Sequence, residues 1–173
     1  MRNTAFLAAG VALLVVQGNL FRLLDRLHLP GITPNLLLPM VVFMGVHEYS
    51  IARGAALAFL LGYLFDLFSG APVGLFTFVT VTTFVVAHFA GVRLSAQTLL
   101  TKIALAFVFT LLEGVLVVIL TAIFGADAAR TRSLAVLVAP HAASTALLSP
   151  LVFRLAERVH QATITVPSAG DPR

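Results

Sequence analysis

Apolar residues run along this chain in long blocks, broken by short clusters of polar residues, Gly and Pro. Six blocks stand out, at 4–21, 34–46, 52–68, 72–91, 100–124 and 134–155. A helix that crosses a hydrocarbon core about 30 Å thick needs about 20 apolar residues, and most of these blocks approach that length. Strands of a transmembrane barrel would instead alternate apolar and polar residues, and no such alternation runs through the blocks. The pattern predicts an all-α, polytopic membrane protein with about six transmembrane helices. The second block is the short one. At about 1.5 Å per residue it rises only about 20 Å, so it must borrow length from its flanks, tilt little, or sit partly within the protein.

Composition sharpens this picture. The chain has 173 residues, 60% hydrophobic and 10% charged, with a mean hydropathy of +1.03. A soluble domain carries about 25% charged residues; this chain cannot dress a water-facing surface. It has no cysteine, which excludes disulfides, thiolate chemistry and Cys-bearing metal sites. No metal or other cofactor is expected. The net charge of +4 comes from scattered Lys and Arg, not from the concentrated basic stripe that nucleic acid would require.

The first block ends in QGNLFRLLDR, without the small-residue cleavage site of a signal peptide, and reads as an uncleaved span. Residues 1–160 form a single transmembrane helical domain on this reading. Residues 161–173 are polar, with two Pro and one Gly, and read as a disordered cytoplasmic tail. No loop between blocks could hold a soluble catalytic domain, which leaves the lipid bilayer and its two faces as the place of action.

Counting Lys and Arg on alternate sides gives an orientation. With the N-terminus inside, the cytoplasmic set is Arg2, Arg53, Arg93, Lys102, Arg154, Arg158 and Arg173, against Arg22, Arg26, Arg130 and Arg132 outside. Both termini are therefore expected in the cytoplasm. The start of the second helix (GITPNLLL) and the end of the third (FDLFSGAPVG) then become neighbours on the outer face.

Several residues could carry chemistry. In the third block Gly54, Ala58, Gly62 and Asp66 recur at four-residue spacing, one stripe of a helix. Small residues so spaced let helix backbones approach closely in lipid; a ligand groove along the stripe is the other reading. Asp66 ends it, where its charge opposes the helix dipole at a cost of about 0.3–1 kcal/mol. The turn Ser69-Gly70-Ala71-Pro72 leads to amides without intrahelical acceptors. Asp66 is expected to accept hydrogen bonds from this turn, and from Asn35, locking the hairpin. Pro72 suits a first helical position, while Gly70 and Gly74 leave the backbone open. Upstream, Thr33-Pro34-Asn35 reads as an N-cap with Pro at the first helical position. Pro39, further in, should kink that helix.

Glu113 lies near the middle of the fifth block, where an ionisable group costs several kcal/mol unless neutralised or paired. His141 reaches a similar depth on the sixth, with Ser144 and Thr145 a turn on, and a Glu113–His141 buried pair is expected. A structural acid and a proton or substrate site both fit Glu113. His88 and the Thr77, Thr80, Thr83 stripe read as interhelical hydrogen-bond groups. No catalytic residue is assigned, since His141 and Ser144 stand only an ordinary helical turn apart.

The order of these features resembles the MreD family of bacterial rod shape-determining proteins. That family has a Pro-Asn/Asp-Leu-rich start to its second hydrophobic segment, matched here by Pro34-Asn35 in TPNLLLPMVVF. About thirty residues later it has a D-x-x-S-G-x-P-x-G signature, matched by Asp66, Ser69, Gly70, Pro72 and Gly74 in GYLFDLFSGAPVGLFTF. The end of the chain's last block, PLVFRLAERV, also fits. The resemblance implies a non-enzymatic inner-membrane component of the cell-elongation machinery. It would bind the bitopic protein MreC, and through it link the MreB filament to the RodA glycosyltransferase and its transpeptidase partner. It also implies a fold similar to the substrate-binding subunits of energy-coupling-factor vitamin transporters.

Three classes of function stand at this point. A scaffold needs only packing faces. A small-molecule transporter subunit would line a cavity with Glu113, His141 and the threonines of the fourth helix. An intramembrane enzyme would need a nucleophile and base within hydrogen-bond reach in a wet cavity.

Overall fold

A computed structural model describes residues 2–26, 33–47, 50–70, 72–91, 99–124 and 128–163. Six helices follow one another along the chain: α1 (Arg2–Arg26), α2 (Leu37–His47), α3 (Ile51–Ser69), α4 (Leu75–Gly91), α5 (Leu99–Phe124) and α6 (Ala128–Thr163). The described residues are all helix or short connection, as the apolar blocks predict. α6 continues through residues 161–163, the first part of the expected tail; residues 164–173 lie outside the described residues, as do Arg93 and Arg173 of the charge count.

Among the described residues four helices are long and apolar enough to cross a membrane: Thr4–Leu24 in α1, Ile51–Ser69 in α3, Leu100–Phe124 in α5 and Ser133–Thr163 in α6. α4 has 17 residues and rises about 26 Å, slightly short of the hydrocarbon thickness. α2 is the shortest. Its 11 residues rise about 16 Å, roughly half the thickness of a bilayer core. It is a half-length helix inside the protein, which agrees with the last of the readings open for the short second block.

The residues of α2 explain where it sits. The stretch Leu36 to Gly45 carries no polar side chain and is buried throughout. A helix apolar on every side belongs inside a bundle or in lipid, and here it is surrounded. α4 packs along it, α6, α5 and α1 cover further sides, and α3 touches it lightly. Around this rod α3 pairs with α4 and α5 with α6 as hairpins.

Close approach is built from small residues. A Cβ on Gly62 would stand 2.7 Å from the Thr77 Cα, and one on Gly54 would collide with the Phe84 ring. Ala58, between them, is fully buried. The stripe on α3 therefore faces α4 rather than an open groove. Gly45 does the same for α2. A Cβ there would lie 2.7 Å from the Ala87 Cβ and 2.9 Å from the Phe84 carbonyl oxygen. At that crossing His88 Nδ1 donates to the Gly45 carbonyl at 3.0 Å, one of the carbonyls left without a helical donor at the end of α2.

At the end of the bundle that carries the N-terminus, Phe43 stacks on His47 with ring centroids 4.1 Å apart. Phe6 and His160 close over Phe43. Lys102 and Glu157 form an ion pair between α5 and α6.

Candidate functional site

Two buried polar assemblies lie in the half of the bundle away from the N-terminus. The first surrounds the start of α2. A helix that begins inside a bundle exposes N–H groups that water cannot reach, and each one here has an acceptor. Asn35 N–H donates to Thr145 Oγ1 at 2.9 Å, and Leu36 N–H to Gln17 Oε1 at 2.9 Å. Leu37 and Leu38 N–H donate to Asn35 Oδ1 at 3.1 and 3.3 Å. The next residue, Pro39, has no N–H to satisfy.

Asn35 thus acts as the N-cap, its side chain accepting from the first two residues of α2, Leu37 and Leu38. The expectation of a Thr33 cap with Pro34 at the first helical position is displaced, and Pro34 is buried before the helix. Pro39 produces no break, because it falls in the first turn. There it deprives only the Asn35 carbonyl of a donor, and α2 runs on to His47.

The amide of Asn35 also answers the question of Glu113. Asn35 Nδ2 donates to Glu113 Oε1 at 2.7 Å, with Asn35 3% and Glu113 5% exposed. The expected Glu113–His141 pair is not formed. His141 is instead placed against the Thr33 backbone, so both residues hold the segment that leads into α2. Among the described residues the other carboxyl oxygen, Glu113 Oε2, has no hydrogen-bond partner, nor has Thr83 Oγ1. Both residues line one small cavity with Asn35, Leu37, Leu38, Val41 and Thr80, with room for the centre of a water-sized sphere over about 10 Å³. Ser144 Oγ donates to the His141 carbonyl, 2.9 Å away in its own helix, and is not engaged with the imidazole.

The second assembly centres on Asp66, 1% exposed. Its Oδ2 accepts from Gly74 N–H at 2.9 Å, Thr77 N–H at 3.1 Å and Thr77 Oγ1 at 2.6 Å. Its Oδ1 accepts from Phe76 N–H at 2.8 Å. A carboxylate at the end of α3 thereby caps the start of α4, where the dipole of the second helix favours the charge that the first disfavours.

The turn makes this possible. Gly70 takes φ 65° as the left-handed cap of α3, and Gly74 takes φ 101° as its N–H turns toward Asp66. Both angles suit glycine. Ser69 Oγ donates to the Asp66 carbonyl at 3.3 Å. Pro72 lies in the turn rather than at the first helical position, its carbonyl accepting from Leu75 N–H at 3.1 Å.

The hydrogen bond expected between Asn35 and Asp66 is absent, because Asn35 is committed to Glu113 and to its own helix. The two assemblies communicate through one face of α4: Thr77 bonds Asp66, while Thr80 and Thr83 border the Asn35–Glu113 cavity. Sequence reasoning missed Gln17 and the capping role of Thr145. The signal was there in a lone Gln within an apolar span, but nothing local names its partner.

Compared with known proteins, residues 6–159 match the family model described as rod shape-determining protein MreD. No curated protein and no solved structure matches the chain.

Proposed function

Because the chain belongs to the MreD family of rod shape-determining proteins, we propose that it is a non-enzymatic scaffold of the cell-elongation complex in the bacterial inner membrane. A role in determining rod shape follows from the family. The finer reading is that the bundle binds the bitopic protein MreC, and through it couples the MreB filament to RodA and its transpeptidase partner. The observation that carries this reading is what the buried polar groups do. Asp66 holds α3 to α4, and Asn35 with Glu113, Thr145 and Gln17 holds α2 to α5, α6 and α1. Polar groups committed to fixing helices suit a rigid docking body.

A transporter-subunit reading is less well supported. Small-molecule sites occupy about 300–1,000 Å³, whereas the space beside Glu113 and the α4 threonines is about one water in size. A vitamin-sized ligand does not fit there.

Affinity purification of the full chain from native membranes, after in-cell crosslinking, tests the proposal. Co-recovery of a bitopic protein with a large periplasmic domain is expected. Recovery of a transporter ATPase complex instead would overturn it. Orientation is tested separately, since the chain has no cysteine. A single cysteine at Val73, which is 70% exposed, should label from the periplasm, and one at Gln161 should not.

A further inference from the structure

We propose that the cavity between α2, α4 and α5 binds a single water molecule that bridges Glu113 Oε2 and Thr83 Oγ1. The two atoms are the buried side-chain oxygens without a hydrogen-bond partner among the described residues, and both residues line the same space. A buried polar atom left unmatched costs about 1–3 kcal/mol, more if charged. Two of them around one cavity point to a shared partner. The space, about 10 Å³ for the centre of a water-sized sphere, is about what one water needs.

The chemistry of the lining selects the occupant. A buried water makes two to four hydrogen bonds. Glu113 Oε2 can accept or, when protonated, donate one, and the Thr83 hydroxyl can accept or donate a second. Asn35 adds a backbone carbonyl whose helical donor is missing because Pro39 has no N–H. A dehydrated metal cation wants six or more oxygens, and Leu37, Leu38, Val41 and Thr80 make up the remaining wall. A few oxygens in a largely apolar wall suit water and leave a cation under-coordinated. The water would join the start of α2, through Glu113 and Asn35, to the threonine face of α4. α4 thereby becomes tied at two points, to Asp66 at its head and to Glu113 further along.

The test is a double-mutant cycle on the full chain in lipid nanodiscs, with thermal unfolding as readout. Thr83→Val and Glu113→Leu each lower the melting temperature. Because both act on one bridge, the double variant melts about 2–4 °C above the sum of the single losses. Thr83→Ser, which keeps the hydroxyl, restores the coupling. Strictly additive losses overturn the bridge. A melting temperature that rises in sodium over N-methylglucamine chloride, and loses that rise in Glu113→Gln, overturns water in favour of a cation. A high-resolution structure of the unaltered chain decides the matter even where a variant fails to fold. Density within hydrogen-bond distance of both oxygens supports the proposal, and a dry cavity ends it.

Discussion

Replacing Asp66 with Asn removes the charge from the α3–α4 junction while keeping its shape. Oδ2 takes three donors, from Gly74 and Thr77, and Oδ1 takes one, from Phe76. The best an amide can do is turn its oxygen toward the three donors, which sets its NH2 group against the Phe76 N–H. One hydrogen bond to a charged group is lost, about 1.5–3 kcal/mol. The favourable charge at the head of α4 goes too, but so does the unfavourable one at the end of α3, each about 0.3–1 kcal/mol. These dipole contributions nearly cancel, leaving a net loss of about 1.5–3 kcal/mol. For a chain of this size that is a fall in melting temperature of about 3–12 °C.

Asp66→Ala goes further. It strands the buried Thr77 N–H and hydroxyl at about 1–3 kcal/mol each. The Gly74 and Phe76 amides are only part-buried, and water can replace some of what they lose. A total of about 3–7 kcal/mol is a large share of the 5–15 kcal/mol typical of a folded protein. Thermal denaturation in nanodiscs, followed by circular dichroism, measures both. The expected order is Ala below Asn below the unaltered chain. If both variants melt within about 1 °C of the unaltered chain, Asp66 does not hold the hairpin and the reading of this junction fails.

Asn35→Ala removes the cap of α2, worth about 0.5–2 kcal/mol, and strands Glu113 Oε1. A loss of about 2–5 kcal/mol in the same assay is expected. Gly62→Ala drives a methyl group into the Thr77 backbone of α4 and should cost about 1–3 kcal/mol. Its signature would be weakened crosslinking between cysteine pairs placed across α3 and α4. Lys102→Ala breaks the ion pair with Glu157, whose side chains are 20% and 38% exposed. A surface pair of this kind contributes only about 0–1 kcal/mol, so the melting temperature should barely change, and a fall beyond about 4 °C would mean the part-buried pair is shielded from water.

How much of this was legible in the sequence depended on distance along the chain. The helix positions followed from apolar blocks, and the Asp66 junction from a turn whose donors lie within 11 residues of the acid. Dipole and turn chemistry are local, and local patterns can be read from one sequence. The Asn35 assembly joins residues 78 and 110 positions apart, and no local pattern names such partners. That α2 is short was legible in its block, but which of the three readings of that shortness holds was hidden for a different reason. Lipid and a protein core are equally apolar, so LLLPMVVFMG reads the same whether it faces acyl chains or other helices.

One regularity would have found it. A helix that starts inside a membrane protein presents unsatisfied N–H groups at a depth where water is absent. Some must be met by side chains from neighbouring spans. Here the complement is distributed over three of them: Gln17 on α1, Glu113 on α5 and Thr145 on α6, each set in an apolar stretch. Glu113 contributes indirectly, since it holds the amide of the Asn35 cap and so frees Oδ1 to face Leu37 and Leu38. Polar residues within separate apolar spans, together with an Asn at the head of a short apolar block, therefore signal a helix terminus inside the bundle. On that argument the acid in the middle of α5 is explained by where α2 begins.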